Sequence, residues 1–421
     1  MTSKAPDKAH AEGQVKYMWA VAMFIVLLAS YVINAMDRQV FPILVANVRD
    51  EYGFSLAEGG LLSTVFTLGM GLAAIPAGYM LSRWSRKLTL QLGILLFSAT
   101  TLLTAFSVGF WDMFAYRAIS GLGESLHLTA LLAVAAAFFS RHRAAAIGSV
   151  NLCFALGAII GPAWGGVLLA SYDSWRVPQI LFGLLGFVAI LVVGTTVRRS
   201  LTESQAVSQE RYDTRGASSI LNHNTILLAV VTVIGGLIIY GYLGMYPTFL
   251  REELGYSGAE AGFVMSIFGL GALASVGGGW VGDRFPPRPV MVICFLVVAI
   301  IGFLLFNGPT SFAAQATLSF IWGVFASAIL YVNLAGYHVK AVRGELSGAA
   351  SAVFVATLYI PAAFSGYIVG WIVGLSSWTT AGNIQLGLLS VVAALTVLAL
   401  RTDRMALVRA APEPQPPADA S

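Results

Sequence analysis

Four charged residues inside apolar sequence offer the clearest chemistry in this chain. Arg117 and Glu124 lie within an apolar segment of about residues 112–139, and the neighbours Asp37 and Arg38 interrupt an earlier apolar segment. Arg117 and Glu124 are two helical turns apart, so their side chains project from the same helix face. A charge within a membrane is costly and is normally paired or faces a water-filled cavity. We therefore interpret the four residues as one functional site.

The chemistry of this cluster follows from its charge balance. A buried carboxylate can take up a proton because desolvation disfavours its charged form, whereas a nearby arginine opposes that uptake. With all four groups ionised the cluster is neutral, and protonation of Asp37 or Glu124 leaves one positive charge that attracts an anion. We therefore predict proton coupling through Asp37 and Glu124. The alternative is a charge-paired network that only fixes helix packing.

Neutral polar residues complete the predicted site. His127, three residues after Glu124, could relay protons, bind substrate or simply pack, and Asn34, one turn before Asp37, could bind or pack. The second part of the chain lacks matching charges and offers mainly tyrosines, which at membrane depth pack more often than they bind. The residues assigned to substrate binding are Arg38, Arg117, His127, Asn34, Tyr240, Tyr331 and Asn333.

The composition places these charges in a membrane. Of 421 residues, 57% are hydrophobic and only 10% are charged, whereas soluble domains carry about 25% charged residues. The predicted fold class is an all-α membrane protein with twelve transmembrane helices. The apolar spans are 17–48, 55–82, 88–109, 112–139, 144–170, 177–197, 225–250, 258–282, 289–307, 312–339, 345–374 and 381–400.

The net charge of +4 is explained by topology. Nineteen of the 24 lysines and arginines lie in the termini and in the connections that follow even-numbered spans, and three lie in the other connections. Cytoplasmic segments carry such an excess, so both termini are predicted to be cytoplasmic. We predict no binding of nucleic acid.

An internal repeat divides the chain into two halves. The segment 51–60 recurs at 253–262, an offset of 202 residues, and the segment 78–87 recurs at 279–288. We predict a tail at 1–16, a six-helix half at 17–197, a cytoplasmic linker at 198–224, a second half at 225–400 and a tail at 401–421. Parallel repeats of this kind place a substrate site between the halves, near the membrane midplane.

The sequence contains no pattern of an enzyme. It has neither His-Glu-x-x-His nor Gly-x-Ser-x-Gly, and no set of His and Cys with metal-binding spacing. We therefore predict no enzymatic activity, no cofactor and no metal. A non-transporting membrane sensor would be expected to carry a large soluble extension, and the longest polar segment here has about 25 residues.

Three motifs between residues 17 and 400 resemble those of the major facilitator superfamily. The connection 78–87, Gly-Tyr-Met-Leu-Ser-Arg-Trp-Ser-Arg-Lys, is similar to the signature Gly-x-x-x-Asp-Arg-x-Gly-Arg-Lys, with Ser82 at the usual Asp. Span four carries Arg-x-x-x-Gly-x-Gly from Arg117, and span five carries Gly-x-x-x-Gly-Pro from Gly157. The resemblance implies two six-helix halves that alternate access to a central site.

The resemblance also implies a gate at the cytoplasmic face, where the signature Asp helps to hold the two halves together. Only the second copy of the signature keeps that residue, as Asp283. We assign conformational gating to Arg83, Arg86, Asp283 and Arg284, although the basic residues of the first copy could equally be topology anchors.

Within the superfamily, the four charges resemble those of the organic anion:proton symporters of the anion:cation symporter branch and of the Spinster-like carriers. In both groups the resemblance implies that Arg38 or Arg117 contacts the substrate. We predict proton-coupled transport of a small organic anion of the carboxylate type by a monomer in a bacterial inner membrane. The alternative is export of an amphiphilic drug or lipid-like molecule by proton antiport, which the Gly-Pro motif of span five favours.

Overall fold

The computed structural model describes residues 5–139, 142–203 and 216–406, and these residues are almost entirely helical. In chain order the first six helices are α1 (Ala5–Tyr52), α2 (Leu56–Thr64, Phe66–Leu72 and Ala74–Arg83), α3 (Arg86–Thr104), α4 (Phe110–Phe138), α5 (Arg143–Tyr172) and α6 (Arg176–Thr196). The second six are α7 (His223–Glu252), α8 (Gly258–Ala272 and Ser275–Arg284), α9 (Pro287–Asn307), α10 (Phe312–Trp322, π-helical Gly323–Tyr331 and Val332–Lys340), α11 (Ser347–Ala362 and Ser365–Leu375) and α12 (Trp378–Gly382, π-helical Asn383–Leu388 and Leu389–Leu398).

The predicted number of membrane-spanning helices is confirmed. Within the described ranges, eleven helices are long and apolar enough to cross a membrane, and α2, whose parts are bent by 46°, makes twelve when it counts as one span. These ranges contain no β-strand, only an isolated bridge between Ala217 and Val342. An even number of spans puts the start of the first span and the end of the last span on one side, which we call the termini face, and the opposite side is the far face.

The sequence repeat directs the same local structure twice. Helices α2 and α8 both begin at the far face with a capping box, in which a serine hydroxyl and a glutamate three residues later each bind the other's backbone N–H. The pairs are Ser55 with Glu58 and Ser257 with Glu260, 202 residues apart. Because a capping box satisfies two otherwise unpaired helix donors, the repeat predicts where both helices start.

A break in α11 supplies a contact between the halves. Pro361 cannot donate a backbone hydrogen bond within the helix, and the two parts of α11 meet just after it, around residues 363–364. The hydroxyl of Thr64 in α2 donates to the carbonyl of Ala363 at this break, at 2.7 Å, and accepts from the N–H of Gly366 at 3.3 Å. The break therefore ties α11 to α2.

Glycines bring the two halves into backbone contact near the far face. A Cβ atom on Gly60 of α2 would overlap the carbonyl oxygen of Gly366 in α11, and the reverse substitution would overlap the carbonyl of Gly60. On the other side of the molecule, a Cβ on Gly262 of α8 would overlap the carbonyl of Pro162 in α5. Two helix pairs therefore close the far face as tightly as backbone atoms allow.

Charged side chains reinforce this closure between the far ends of α1 and α7. Arg49 pairs with Glu252, and Arg251 donates to the side chain of Asn47 and to the carbonyl oxygen of Ile43. Each arginine therefore reaches from its own half to the other.

Candidate functional site

The central feature of the interior is an ion pair between α1 and α4. Arg38 Nε donates to Glu124 Oε2 at 2.9 Å, and both side chains are buried, with exposed fractions of 3% and 0%. The Ser120 hydroxyl donates to the other oxygen of Glu124 at 3.2 Å, and Arg38 Nη2 donates to Asn34 Oδ1 at 3.2 Å. The four sequence-predicted charges therefore include one closed, hydrogen-bonded pair.

Asp37 is buried beside this pair, and only one of its two carboxylate oxygens accepts a hydrogen bond. The Thr101 hydroxyl of α3 donates to Asp37 Oδ2 at 2.6 Å, while Asp37 Oδ1 has no hydrogen-bond partner. This carboxylate interacts electrostatically with both Glu124 and Arg117. An unpartnered oxygen on a buried carboxylate is a position where a proton can be held.

Arg117 has an unpartnered cationic head in the interior. Its Nε donates weakly to the carbonyl of Leu62, at 3.3 Å, and both of its terminal nitrogens lack hydrogen-bond partners although the residue is 1% exposed. Its guanidinium lies 4.2 Å from the ring centre of Phe41 and 5.5 Å from that of Phe66. Because a buried cation with unused donors is unfavourable, this fork is chemically suited to receive an anion.

Tyrosines of the second half face the charged cluster. Arg38 interacts electrostatically with Tyr240 and Tyr359, and also with Tyr31 of α1. The hydroxyls of Tyr331 and Tyr359 are 3.1 Å apart, and the rings of Tyr240 and Tyr359 are 5.8 Å apart. Helices α7, α10 and α11 thus place phenol groups opposite the charges of α1 and α4.

Sequence reasoning missed four residues of this arrangement, namely Tyr31, Thr101, Ser120 and Tyr359. The spacing in the sequence could have indicated two of them. Tyr31 lies seven residues before Arg38, and Ser120 lies four residues before Glu124. Each therefore shares a helix face with a charged residue. Thr101 and Tyr359 had no such signal, because their neighbours come from other helices.

Two predicted substrate-binding residues lie apart from the cluster's polar contacts. His127 Nε2 is 3.2 Å from the hydroxyl of Ser30, and its ring stacks on Phe97 of α3. The amide of Asn333 donates to the carbonyls of Gly278 and Ile329, at 2.9 and 2.8 Å. Both side chains are engaged in packing between helices of one half, and neither forms a hydrogen bond with one of the four charges.

The residues predicted to gate access contact residues of their own halves or, in the case of Arg86, the beginning of the linker. Asp283 pairs with Lys340 at 2.7 Å, and Arg284 lies over the ring of Trp280. In the first half, Arg83 lies over Tyr79, and Arg86 donates to the carbonyl of Thr202 at 3.1 Å. Their part in gating stays a prediction.

A cavity of about 910 Å³ lies away from the charged cluster, at the termini end of α1, α4 and α6. It is lined by Tyr17, Trp19, Met23, Phe138, Thr195 and Arg198, among others. None of the four buried charges contributes to it. Among the described residues, no group of three or more His, Cys, Asp and Glu side chains could hold a metal ion.

The long helices and the buried ionic site define a multi-pass integral membrane protein. The sequence matches the Major Facilitator Superfamily over residues 27–366 and, in an overlapping second match, over residues 228–421. The chain belongs to this superfamily, and it is a transporter rather than an enzyme.

Several named transporters are similar to the chain. The D-galactonate transporter of Escherichia coli O6:H1 is 25% identical over 76% of this chain and 82% of its own length. The 4-hydroxybenzoate transporter PcaK of Pseudomonas putida is 22% identical over 73% and 76%, respectively. Protein spinster of Drosophila melanogaster is 25% identical over 78% of this chain and 58% of its own length. These similarities confirm the predicted resemblance to organic anion transporters and to Spinster-like carriers.

Solved structures share the fold. A bacterial homolog to the human lysosomal transporter Spinster, in an inward-facing and occupied conformation, has a TM-score of 0.71 at 16% identity, covering 91% of this chain and 96% of that one. A mutant form of the nucleoside transporter NupG has a TM-score of 0.73 at 17% identity, covering 90% and 100%. The all-helical fold of two six-helix sets predicted from the sequence is thereby confirmed.

Proposed function

We propose that the protein is a proton-coupled transporter of a small organic anion, and that Arg117 binds the anion's carboxylate. The observation that carries the proposal is the buried, unpartnered guanidinium fork of Arg117, which interacts electrostatically with Asp37, a carboxylate with one unpartnered oxygen. A planar guanidinium binds a carboxylate through two parallel hydrogen bonds. Arg38 cannot offer the same fork, because Glu124 and Asn34 already accept from it.

Coupling follows from the charges. A proton on Asp37 Oδ1 removes one negative charge near Arg117, and the cluster then carries a net charge of +1 that attracts the substrate anion. When the proton leaves Asp37 on the other side of the membrane, the restored carboxylate competes with the substrate for Arg117 and favours its release. Glu124 is the second proton site of the proposal, because its protonation would free Arg38 from the ion pair.

The relatives support an acidic substrate. Named relatives are transporters of D-galactonate, hexuronate and 4-hydroxybenzoate, each of which carries a carboxylate. Because these acids differ in the body that carries the carboxylate, the relatives support the chemical class alone.

We place the protein as a monomer in the bacterial plasma membrane with the termini face in the cytoplasm, as the distribution of basic residues favours. On this orientation the closed far face is external. Two exposed positions test it: Ser218→Cys at the termini face and Thr310→Cys at the far face. A membrane-impermeant thiol reagent added to intact cells should label only Thr310→Cys, and labelling of Ser218→Cys alone would reverse the topology.

Reconstitution tests the function. Uptake of a panel of carboxylates would be measured in proteoliposomes that contain the purified protein, with and without an inward proton gradient. We expect accumulation above equilibrium only with the gradient, and its loss when a protonophore is added. The Arg117→Ala protein, reconstituted at the same density, is the matched control. Equal accumulation of substrate with and without the proton gradient would contradict proton coupling.

A second candidate is export of an amphiphile by proton antiport. It is favoured by the cavity of about 910 Å³ at the termini face, which combines exposed Trp19 and Tyr17 with Arg198, and by the Spinster relatives. Proton-driven efflux of a cationic dye would favour this candidate over anion transport if carboxylates did not inhibit the efflux.

A further inference from the structure

We propose that the transported anion is an aromatic monocarboxylate of the benzoate class. This inference rests on the proposed function, and it concerns the body of the substrate rather than its charge. The structural basis is the juxtaposition of one free guanidinium fork with a continuous series of aromatic rings that crosses from the first half to the second.

The number of free cationic groups limits the substrate to one carboxylate. Arg38 is occupied by Glu124 and Asn34, whereas both terminal nitrogens of Arg117 are unpartnered. No other arginine or lysine in the described part of the chain is both buried at this depth and close to the cluster. While Glu124 is ionised and pairs with Arg38, a dicarboxylate would therefore bring one charge that has no cation to receive it.

The aromatic series begins at Phe66, which lies beside the guanidinium of Arg117. Phe66 lies 5.5 Å from the Arg117 guanidinium carbon and 6.1 Å from the ring of Tyr240, which it meets at 63°. Tyr240 meets Tyr359 at 5.8 Å and again at 63°, and Tyr331 is joined to Tyr359 through their hydroxyls. Edge-to-face contacts of this kind are the favoured arrangement of aromatic pairs. A planar ring attached to the bound carboxylate can join the series in the same way.

Most polar side chains of the first half at the cluster are already hydrogen-bonded, which disfavours a polyhydroxylated acid. The hydroxyls of Thr101 and Ser120 are already committed to Asp37 and Glu124. Apart from the Arg117 fork, the fully buried side-chain atoms at the cluster that lack a hydrogen-bond partner are Asn34 Nδ2 and Asp37 Oδ1. A sugar acid would depend on the tyrosine hydroxyls of the second half for partners, and each of its hydroxyls left unpartnered would weaken binding.

Three acids separate these properties: benzoate, cyclohexanecarboxylate and gluconate. The first two have similar size and the same charge but differ in planarity, and the third replaces the apolar body by hydroxyls. In calorimetric titrations of the purified full-length protein we expect saturable binding of benzoate, at least fivefold weaker binding of cyclohexanecarboxylate, and at least fiftyfold weaker binding of gluconate. Equal or tighter binding of gluconate would overturn the proposal.

Variants of Tyr359 test the aromatic series itself. Tyr359→Phe keeps the ring and should change benzoate affinity less than threefold, whereas Tyr359→Leu should weaken it at least tenfold. Tyr367→Leu on the same helix, where the side chain is 42% exposed, is the matched control and should have no effect. Equal benzoate affinities in the Tyr359→Leu and parent proteins would overturn the proposal. If Tyr359→Leu does not fold, the comparison of the three acids in the parent protein still decides.

The experiment distinguishes failure of this inference from failure of the proposed function. If gluconate or an aliphatic acid binds best and Arg117→Ala abolishes that binding, the aromatic inference is wrong and anion binding by Arg117 stands. If no carboxylate binds or is transported at any pH, both the inference and the proposed function fail.

Discussion

Arg49 and Arg251 occupy equivalent places in the two repeats, 202 residues apart, and each crosses to the opposite half at the far face. Arg49 pairs with Glu252, and Arg251 donates to Asn47 and to the carbonyl of Ile43. The two contacts close one face of the molecule, while the basic residues of the signature segments at the termini face contact their own halves. The structure is therefore a state that is shut at the far face.

This pair of contacts predicts how the resting state can be shifted. Glu252→Gln removes the anion that holds Arg49, and a partly exposed ion pair contributes about 0.2–1 kcal/mol. We therefore expect the population open at the far face to rise by up to about fivefold. Labelling of Met245→Cys, a buried position of α7, would report the change. Glu253→Gln, one residue further on and exposed, should leave labelling unaltered.

The glycine contact between α2 and α11 predicts a steric effect. In Gly366→Ala the new methyl group overlaps the carbonyl oxygen of Gly60, and overpacking of this kind costs about 1–3 kcal/mol. The far-closed state should be destabilised by that amount, with more labelling of Met245→Cys and slower transport. Gly374→Ala on the same helix has open space around it and should behave as the parent. Parent-like transport and labelling in Gly366→Ala would show that this contact does not close the far face.

Arg117→Lys should impair transport nearly as much as Arg117→Ala. A lysine keeps the charge but cannot form the two parallel hydrogen bonds to a carboxylate, and one hydrogen bond to a charged group is worth about 1.5–3 kcal/mol. The half-saturating substrate concentration should therefore rise by at least tenfold in uptake assays. Arg199→Lys, exposed after α6, is the control. Unchanged affinity in Arg117→Lys would indicate a purely electrostatic role.

Glu124→Gln should abolish accumulation against a gradient while leaving exchange of substrate across the membrane. The amide imitates the protonated carboxyl group and holds one protonation state, so proton movement no longer drives the cycle. Counterflow in proteoliposomes measures exchange and also shows that the protein is folded. Ser120→Ala, which removes a hydrogen bond to Glu124 but keeps its charge, should retain accumulation. Concentrative uptake by Glu124→Gln in response to pH would remove Glu124 from the coupling mechanism.

The sequence by itself determined the elements and their order. Apolar length predicted the twelve spans, because a helix must cover the hydrocarbon thickness whatever packs beside it. The sequence repeat also places Ser55 and Glu58 in the same spacing as Ser257 and Glu260, and the structure forms a capping box at both sites because this interaction is local. The same reasoning identified Asp37, Arg38, Arg117 and Glu124, since a charge inside an apolar span is conspicuous in any fold.

Only the tertiary structure decided which partners these charges have. The spacing placed Arg117 and Glu124 on one face of α4, yet Glu124 pairs with Arg38 of α1 and the Arg117 fork is unpartnered. A helix's rotation about its axis depends on its neighbours: α3 and α4 cross at Gly93 and Gly123 with almost touching backbones. That crossing places His127 against Phe97 of α3. Long-range packing of this kind leaves no pattern within one helix, because each distance depends on residues far apart in the chain.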